Sequence, residues 1–262
     1  MTPEVSRITI YPVKSLDGID MPRAVISSGG ALENDRRFAM RDESGKYING
    51  KKNPRVHKLK PRFSEGLKEV RFSVDGVGES PEFELNVNNT SLTKWLSEYF
   101  SMKVSLVENS GSGFPDDTDA YGPTIASSAS YEMIAGWFEN MTAAEVHKRF
   151  RANIVLNNCI PFREDNLFSE SGIEKQFQIG DILFYGVNPC NRCIVPTRNP
   201  DTGESASEFQ RIFIEKRKEH FPPEIDAGRF DHYYKFTVNT RIPFSEAGKV
   251  IAAGDKVLLN SY

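Results

Sequence analysis

Cysteine is scarce in this sequence: Cys159, Cys190 and Cys193 are the only three among 262 residues. Three is too few, and an odd number, for a disulfide framework, and a chain this long can close a core without one. Reduced thiols are therefore expected, and a thiol that ionises is the form that binds a soft metal or attacks an electrophile. Long apolar runs are also missing. None approaches the roughly 18 residues of a membrane span, and the opening MTPEVSRITIYPVKS lacks the basic-then-apolar pattern of a secretory leader. The expectation is a cytoplasmic protein with no membrane anchor. Charge of one sign is not in excess either: 33 Lys and Arg against 36 Asp and Glu give a net charge of -3. Such a balance gathers neither nucleic acid nor anionic lipid, so neither is expected as a partner. Histidine is limited to His57, His147, His220 and His232. None stands with a Ser or Cys and an acid at a spacing that reads as a triad, so all four are taken as structural or surface residues.

What is present begins with period-2 alternation of apolar and polar residues, the mark of half-buried strands. It recurs at residues 5–11 (VSRITIY), 23–26, 37–40, 69–74 (EVRFSV) and 82–87 (EFELNV), with a hairpin-type connection at Asp42-Glu43-Ser44-Gly45. Residues 92–100 (LTKWLSEYF) place Leu92, Trp95, Leu96 and Tyr99 on one face of a helix. Residues 108–122 (ENSGSGFPDDTDAYG) are rich in Gly, Ser and Asp and read as a loop and a boundary. Asp116, Asp117 and Asp119 within it lack the regular spacing of a calcium loop and are expected to be solvated on a flexible segment. Beyond it, helices are expected at 131–138, 143–150 and 207–221, and strands at 152–156, 179–187, 235–238 and within 250–259. The 207–221 helix reads as an amphipathic surface element.

The most distinctive stretch is Pro189-Cys190-Asn191-Arg192-Cys193-Ile194. Three readings of its cysteine pair stay open. A structural zinc site needs four Cys or His ligands, and Cys159 and His147 lack the paired spacing such sites show. A redox dithiol ordinarily opens a helix, whereas Ile194-Val195-Pro196 suits an extended segment. The third reading is two buried structural thiols.

Several runs, taken in order, resemble the MOSC domain family: RFRANIV at 149–155, FQIGD at 177–181, CNRCIVPTRNPDTG at 190–203 and GDKV at 254–257. YPVKS at 11–15 and DRRF at 35–38 are similar to the β-barrel domain that precedes MOSC in mitochondrial amidoxime-reducing proteins and bacterial YcbX-type proteins. The resemblance spans about residues 3–260. It implies a mostly β protein with peripheral helices (α+β), in which an N-terminal β-barrel domain, residues 1–107, packs on a MOSC β-barrel domain, residues 108–262. A cofactor would lie in the cleft between them.

The same resemblance implies the molybdenum cofactor. Cys193, the second cysteine of CNRC, would be the metal ligand and the catalytic thiolate, with Arg192 helping to keep its sulfur ionised and Cys190 a neighbour. Lys14, Ser15, Arg36, Arg151, Asn153, Asn191 and Arg192 fall on the matching cofactor-binding positions, and guanidinium groups suit a phosphate or a pterin carbonyl edge. Ser127 and Ser130, at a helix entry, match a segment whose hydroxyls and amides receive an anion; a plain helix cap is the alternative there. The implied activity is reduction of N-hydroxylated compounds such as hydroxylamines and amidoximes. No GxGxxG follows an expected strand, and no cysteine-rich ferredoxin domain follows GDKV, so electrons would come from an external flavin, ferredoxin or haem protein. The aminotransferase-like domain of the cofactor sulfurases is likewise not seen, which argues against sulfurase activity. A cofactor carrier or sulfur-transfer accessory would share the same binding residues.

Overall fold

Alternation at the start of the chain produces strand β1 (Glu4–Ile10), whose Val5, Ile8 and Ile10 are buried. The computed structural model describes residues 2–170 and 173–259. Short strands follow: β2 (Ile19–Met21), β3 (Arg23–Val25), β4 (Phe38–Arg41), β5 (Leu59–Phe63), β6 (Glu69–Val74), β7 (Gly78–Glu79), β8 (Phe83–Glu84) and β9 (Ser105–Glu108), with helices α1 (Arg55–Lys58) and α2 (Thr90–Phe100) among them. The second half holds β10 (Ile125–Ser127), α3 (Ser128–Ala135), α4 (Ala143–Phe150), β11 (Ile154–Asn157), β12 (Lys175–Ile179), β13 (Ile182–Asn191), α5 (Phe209–Glu219), β14 (Lys235–Arg241), β15 (Val250–Ala252) and β16 (Val257–Leu259). The class is mostly β, with five helices among the described residues, in keeping with the alternation.

The main sheet runs β16-β12-β13-β14-β10-β11-β1-β2, so the N-terminal strand is built into the C-terminal sheet. Strand β3 likewise pairs with β15, while β4 pairs with β9 and β6 joins β5, β7 and β8. The closed barrels expected for the two halves are not what these ladders form: no sheet among the described residues closes on itself. The main sheet curls until β1 meets the turn before β16, but the meeting is one isolated bridge, Glu4 to Lys256. Around it Gly254 donates to Val5 O, Val5 to Asp255 O and Val257 to Pro3 O, contacts made by a turn and not by a strand ladder.

Two expected strands also come out differently. The 179–187 run is broken at Gly180 and Asp181, where left-handed Gly180 (φ 59°) turns β12 back on β13. The 82–87 run keeps only Phe83–Glu84 as strand, because Asn86 and Asn89 form turns that cap α2.

Alternation sorts the two faces of the main sheet. Ile125, Ile154 and Leu156 face one core with Ile8 and Phe177, and Ala126 and Val155 face the other with α3, α4 and α5. On β14, Phe236 and Val238 fall on opposite faces although two apart. The cause is Thr237, left-handed at φ 69°, which makes a bulge: Pro189 pairs with Val238 and Asn191 with Lys235. Bulges re-aim side chains beside functional sites, and this one lies where β13 ends and the CNRC segment leaves the sheet. A third core, with Leu92, Leu96 and Phe100 of α2 against Phe72 and Val70, closes the N-terminal part.

Candidate functional site

A cavity of about 610 Å³ opens between the N-terminal segments and the edge of the main sheet, within the range typical of ligand pockets. Its walls are the Lys14–Ser15 turn after β1, Arg36, the turn at 49–51, the 115–124 connection, the end of α4, and the end of β13. Ten lining side chains are Lys or Arg and three are Asp. A chain with net charge -3 thus carries one strongly cationic concavity, and a wall of one sign focuses its field on a small anion.

On one wall Cys190 lies at the end of β13, one residue before its last, and Cys193 follows the strand, both half-buried and both lining the cavity. Arg192 donates from Nη1 to Cys190 Sγ at 3.1 Å and from Nη2 to Phe150 O at 2.8 Å. The expected support of Cys193 by Arg192 is therefore replaced by support of Cys190, since residues two apart in extended chain share a side and adjacent ones do not. After Cys193 the chain does not stay extended. It makes one 3-10 turn, Val195–Thr197, with Pro196 at a position its fixed φ suits and Thr197 Oγ1 donating to Ile194 O at 2.7 Å. Arg149 holds this turn to α4, donating to Pro196 O at 2.8 Å and Arg198 O at 2.7 Å while paired to Glu145 at 2.6 Å. Among the described residues no three His, Cys, Asp or Glu side chains group to hold a metal ion. A metal on Cys193 must therefore bring its other ligands with it.

The opposite wall is cationic. Ser15, Arg36 and Arg151 all have left-handed backbone, with φ of 74°, 49° and 58°. Such conformations are uncommon for residues other than glycine and collect at functional sites. Arg151 reaches its conformation as the C-cap of α4. Arg36 is paired with Asp35 and donates to Asn153 Oδ1 at 3.2 Å. Its carbonyl accepts from Phe114 N at 2.8 Å, an approach that leaves no space for a Cβ on Gly113, which would come within 2.3 Å of Asp35 O. Lys14 Nζ donates to Asp116 at 2.6 Å and to Phe114 O at 2.8 Å. Burial raises the Asp116 carboxyl, but Lys14 and then Arg36 and Lys51 outweigh it and hold it below the ordinary range. The expected solvated loop is thus tied down: Asp116 to Lys14, Asp117 to Asn239 at 3.1 Å, and the Asp119 carbonyl to Arg241 at 2.8 Å. The separated charges of this loop find partners only once the sheet is formed.

Sequence comparison bears on this geometry. The MOSC N-terminal beta barrel domain matches residues 2–120 and the MOSC domain matches residues 122–258, the latter more than half of the chain. The chain belongs to the MOSC domain family. It is 22% identical over 238 residues to the molybdenum cofactor sulfurase of Drosophila grimshawi, a match covering 79% of this chain and 30% of that protein. It is 23% identical over 238 residues to mitochondrial amidoxime-reducing component 1 of Mus musculus, covering 77% of this chain and 67% of that protein. The YUAD protein from Bacillus subtilis superposes with a TM-score of 0.39 at 10% identity, over 100% of this chain and 97% of that one. The chain thus spans under a third of the length of the sulfurase it matches.

The MOSC domain and the segment before it share the cavity. Lys14, Ser15 and Arg36 come from the N-terminal segment, and Arg151, Asn191, Arg192 and Cys193 from the MOSC domain. Three expected residues lie elsewhere. Asn153 is fully buried behind Arg36, bonded to it and to Thr9 O at 3.1 Å. Ser127 and Ser130 are 0% exposed and do not line the cavity. Ser127 caps α3, its hydroxyl 2.7 Å from that of Ser130, which accepts from Phe162 N at 2.6 Å. Of the histidines, His57 is half-buried and lines the cavity, and His147 is buried behind Tyr11. No motif singles out Lys51, Arg229 and Lys235, cavity residues scattered along the chain, whereas Arg198 lies inside the CNRCIVPTRNPDTG run. Arg149 stood inside the RFRANIV run, which was the available signal for it. No helix among the described residues is long and apolar enough to cross a membrane.

Proposed function

We propose that this protein binds the molybdenum cofactor in the cavity, with Cys193 as the metal's protein ligand, and reduces N-hydroxylated compounds with electrons from an external flavin, ferredoxin or haem protein. The observation that carries the reading is the convergence, in one cavity, of a half-buried thiol and a pre-set cationic wall. The donor set fits the group: one soft thiolate suits a metal whose other ligands arrive with an organic cofactor, and Lys14, Ser15, Arg36 and Arg151 suit its phosphate. When bound, the group supplies a metal that cycles between oxidation states. Asn153 orients Arg36 from behind, Arg149 fixes the turn after Cys193, and Asn191 and Arg192 frame the thiol. The working division of the chain is residues 1–107 and 108–262, both of which contribute residues to the cavity. The relatives' names, one an amidoxime-reducing component and one a cofactor sulfurase, both support the cofactor, and the first supports the reductase reading.

A second reading is a cofactor carrier or sulfur-transfer accessory, favoured by one feature: a second cavity thiol, Cys190, in charge-assisted contact with Arg192. The test is reduction of a hydroxylamine or amidoxime by metal-loaded protein with reduced viologen as donor, with Cys193→Ser in parallel. Turnover that needs Cys193 supports the reductase. No cofactor-dependent turnover across several N-hydroxylated compounds favours the carrier.

A further inference from the structure

Behind the cationic wall lies Tyr11, 3% exposed and absent from the cavity lining, so it touches no ligand there. Both wall arginines nevertheless stand over its ring: the Cζ of Arg151 at 4.2 Å from the centroid and that of Arg36 at 5.4 Å. Burial, and then the like charge of Arg36, disfavour the charge of Arg151. Arg36 has Asp35 as a counter-charge, but Arg151 makes no salt bridge among the described residues; its Nη2 donates to Leu16 O at 2.5 Å. The electron-rich face of the phenol ring lies against the Arg151 guanidinium and, together with the Asp17 and Asp116 carboxylates, favours its charge.

The ring is itself held at every polar atom. Tyr11 N donates to Asp35 Oδ1 at 2.9 Å, and its carbonyl accepts from Arg36 N at 2.7 Å. The hydroxyl donates to Ala152 O at 3.3 Å and lies 3.2 Å from His147 Nε2. His147 Nδ1 accepts from Arg7 at 2.9 Å, so the imidazole is neutral with its proton on Nε2, directed at the phenol oxygen. Tyr11 therefore ties β1, the Asp35–Arg36 turn and the segment after α4 into one rigid mount.

We propose that Tyr11 is the positioning residue of the anion wall, its ring face holding Arg36 and Arg151 as a convergent pair for the phosphate of the bound cofactor. This rests on the cofactor reading above and adds a residue that no ligand contact would reveal. A planar ring against two cations lets them sit closer than water alone would, and an aromatic face does so without consuming their N–H donors.

The test is the full chain made in a host that synthesises molybdenum cofactor, with Tyr11 replaced by Phe, by Leu, and by a series of increasingly fluorinated phenylalanines. Fluorination keeps the ring's shape and weakens its negative face, so folding is preserved even where Leu at this buried position would not fold. Two readouts are taken: pterin retained after gel filtration, and the rise in Tm caused by inorganic phosphate. Tyr11→Phe should keep both, and the fluorinated series should lose both stepwise, falling about tenfold in phosphate affinity at full fluorination, the scale of an effect near 1.4 kcal/mol. Retention unchanged along the series would overturn the proposal, as would an equal loss in Tyr11→Phe, which would assign the role to the hydroxyl. If the native protein holds no pterin but its phosphate response follows the series, the cofactor reading fails while the positioning role stands.

Discussion

Around Arg36 and Arg151 polar side chains face a cavity; around Ser127, Ser130 and Glu164 they face one another beneath α3. The first group is cationic and lines the cavity, with left-handed backbone at three lining residues. The second is closed and acidic. Glu164 is 0% exposed, and its neighbour Asp165 is paired with Arg217, which is also fully buried. Burial, and then the charge of Asp165, push the Glu164 carboxyl up to about 7. Hydroxyls and charges alone therefore do not mark a ligand site; what separates the two regions is whether their polar groups line a cavity or are sealed from solvent, as both oxygens of Glu164 are.

The sharpest break between the two regions lies at the thiols. Cys193→Ser should lose bound molybdenum entirely, whereas Cys190→Ser keeps most of it, as measured by metal analysis of purified protein. Equal loss from both would mean that the pair acts together and would revive the dithiol or zinc readings of CNRC.

Next in size are the arginines. Arg36→Ala and Arg151→Ala should each weaken pterin retention by about 1.5–3 kcal/mol, roughly tenfold or more, with little change in Tm. Pterin held at the native level in both would place the anion elsewhere.

The closed region should respond to pH and not to cofactor. Because Glu164 has its folded pKa raised to about 7 from 4.5, its proton contributes stability that is full below about 4.5 and lost as pH rises to about 7. His147 runs the other way. Burial and then Arg7 lower it to about 4, so stability is lost as pH falls from 6.5 towards that value. The two offset in the native protein. Glu164→Gln removes one of them, and its stability relative to the native chain should rise by about 1–3 kcal/mol between pH 4.5 and pH 8, seen by urea unfolding at both. A flat difference would show that Glu164 is ionised in the folded protein.

Smallest is the cap. Ser127→Ala should cost ~1 kcal/mol of stability, the usual value of a lost N-cap, and leave pterin retention unchanged. Loss of pterin from this variant would erase the distinction between the two regions.

Much of this was legible in the sequence. Alternation marked β1 and β6, the amphipathic patterns marked α2, α4 and α5, and the ordered motifs marked Cys193, Arg36 and Arg151. The rest was set by tertiary pairing. No local rule predicts that β1 enters the C-terminal sheet, that Thr237 turns left-handed inside a strand, or that Lys51 and Lys235 arrive at the same cavity. Ser127 and Ser130 matched a motif, yet in this fold that helix entry lies beneath the sheet surface and caps itself.

The most direct test is to quantify molybdenum, zinc and pterin together in the native protein from a host that makes the cofactor. Molybdenum and pterin in equal, near-stoichiometric amounts with no zinc is the predicted result. Zinc in their place, or pterin absent while the protein is folded, would contradict the assignment of the cavity.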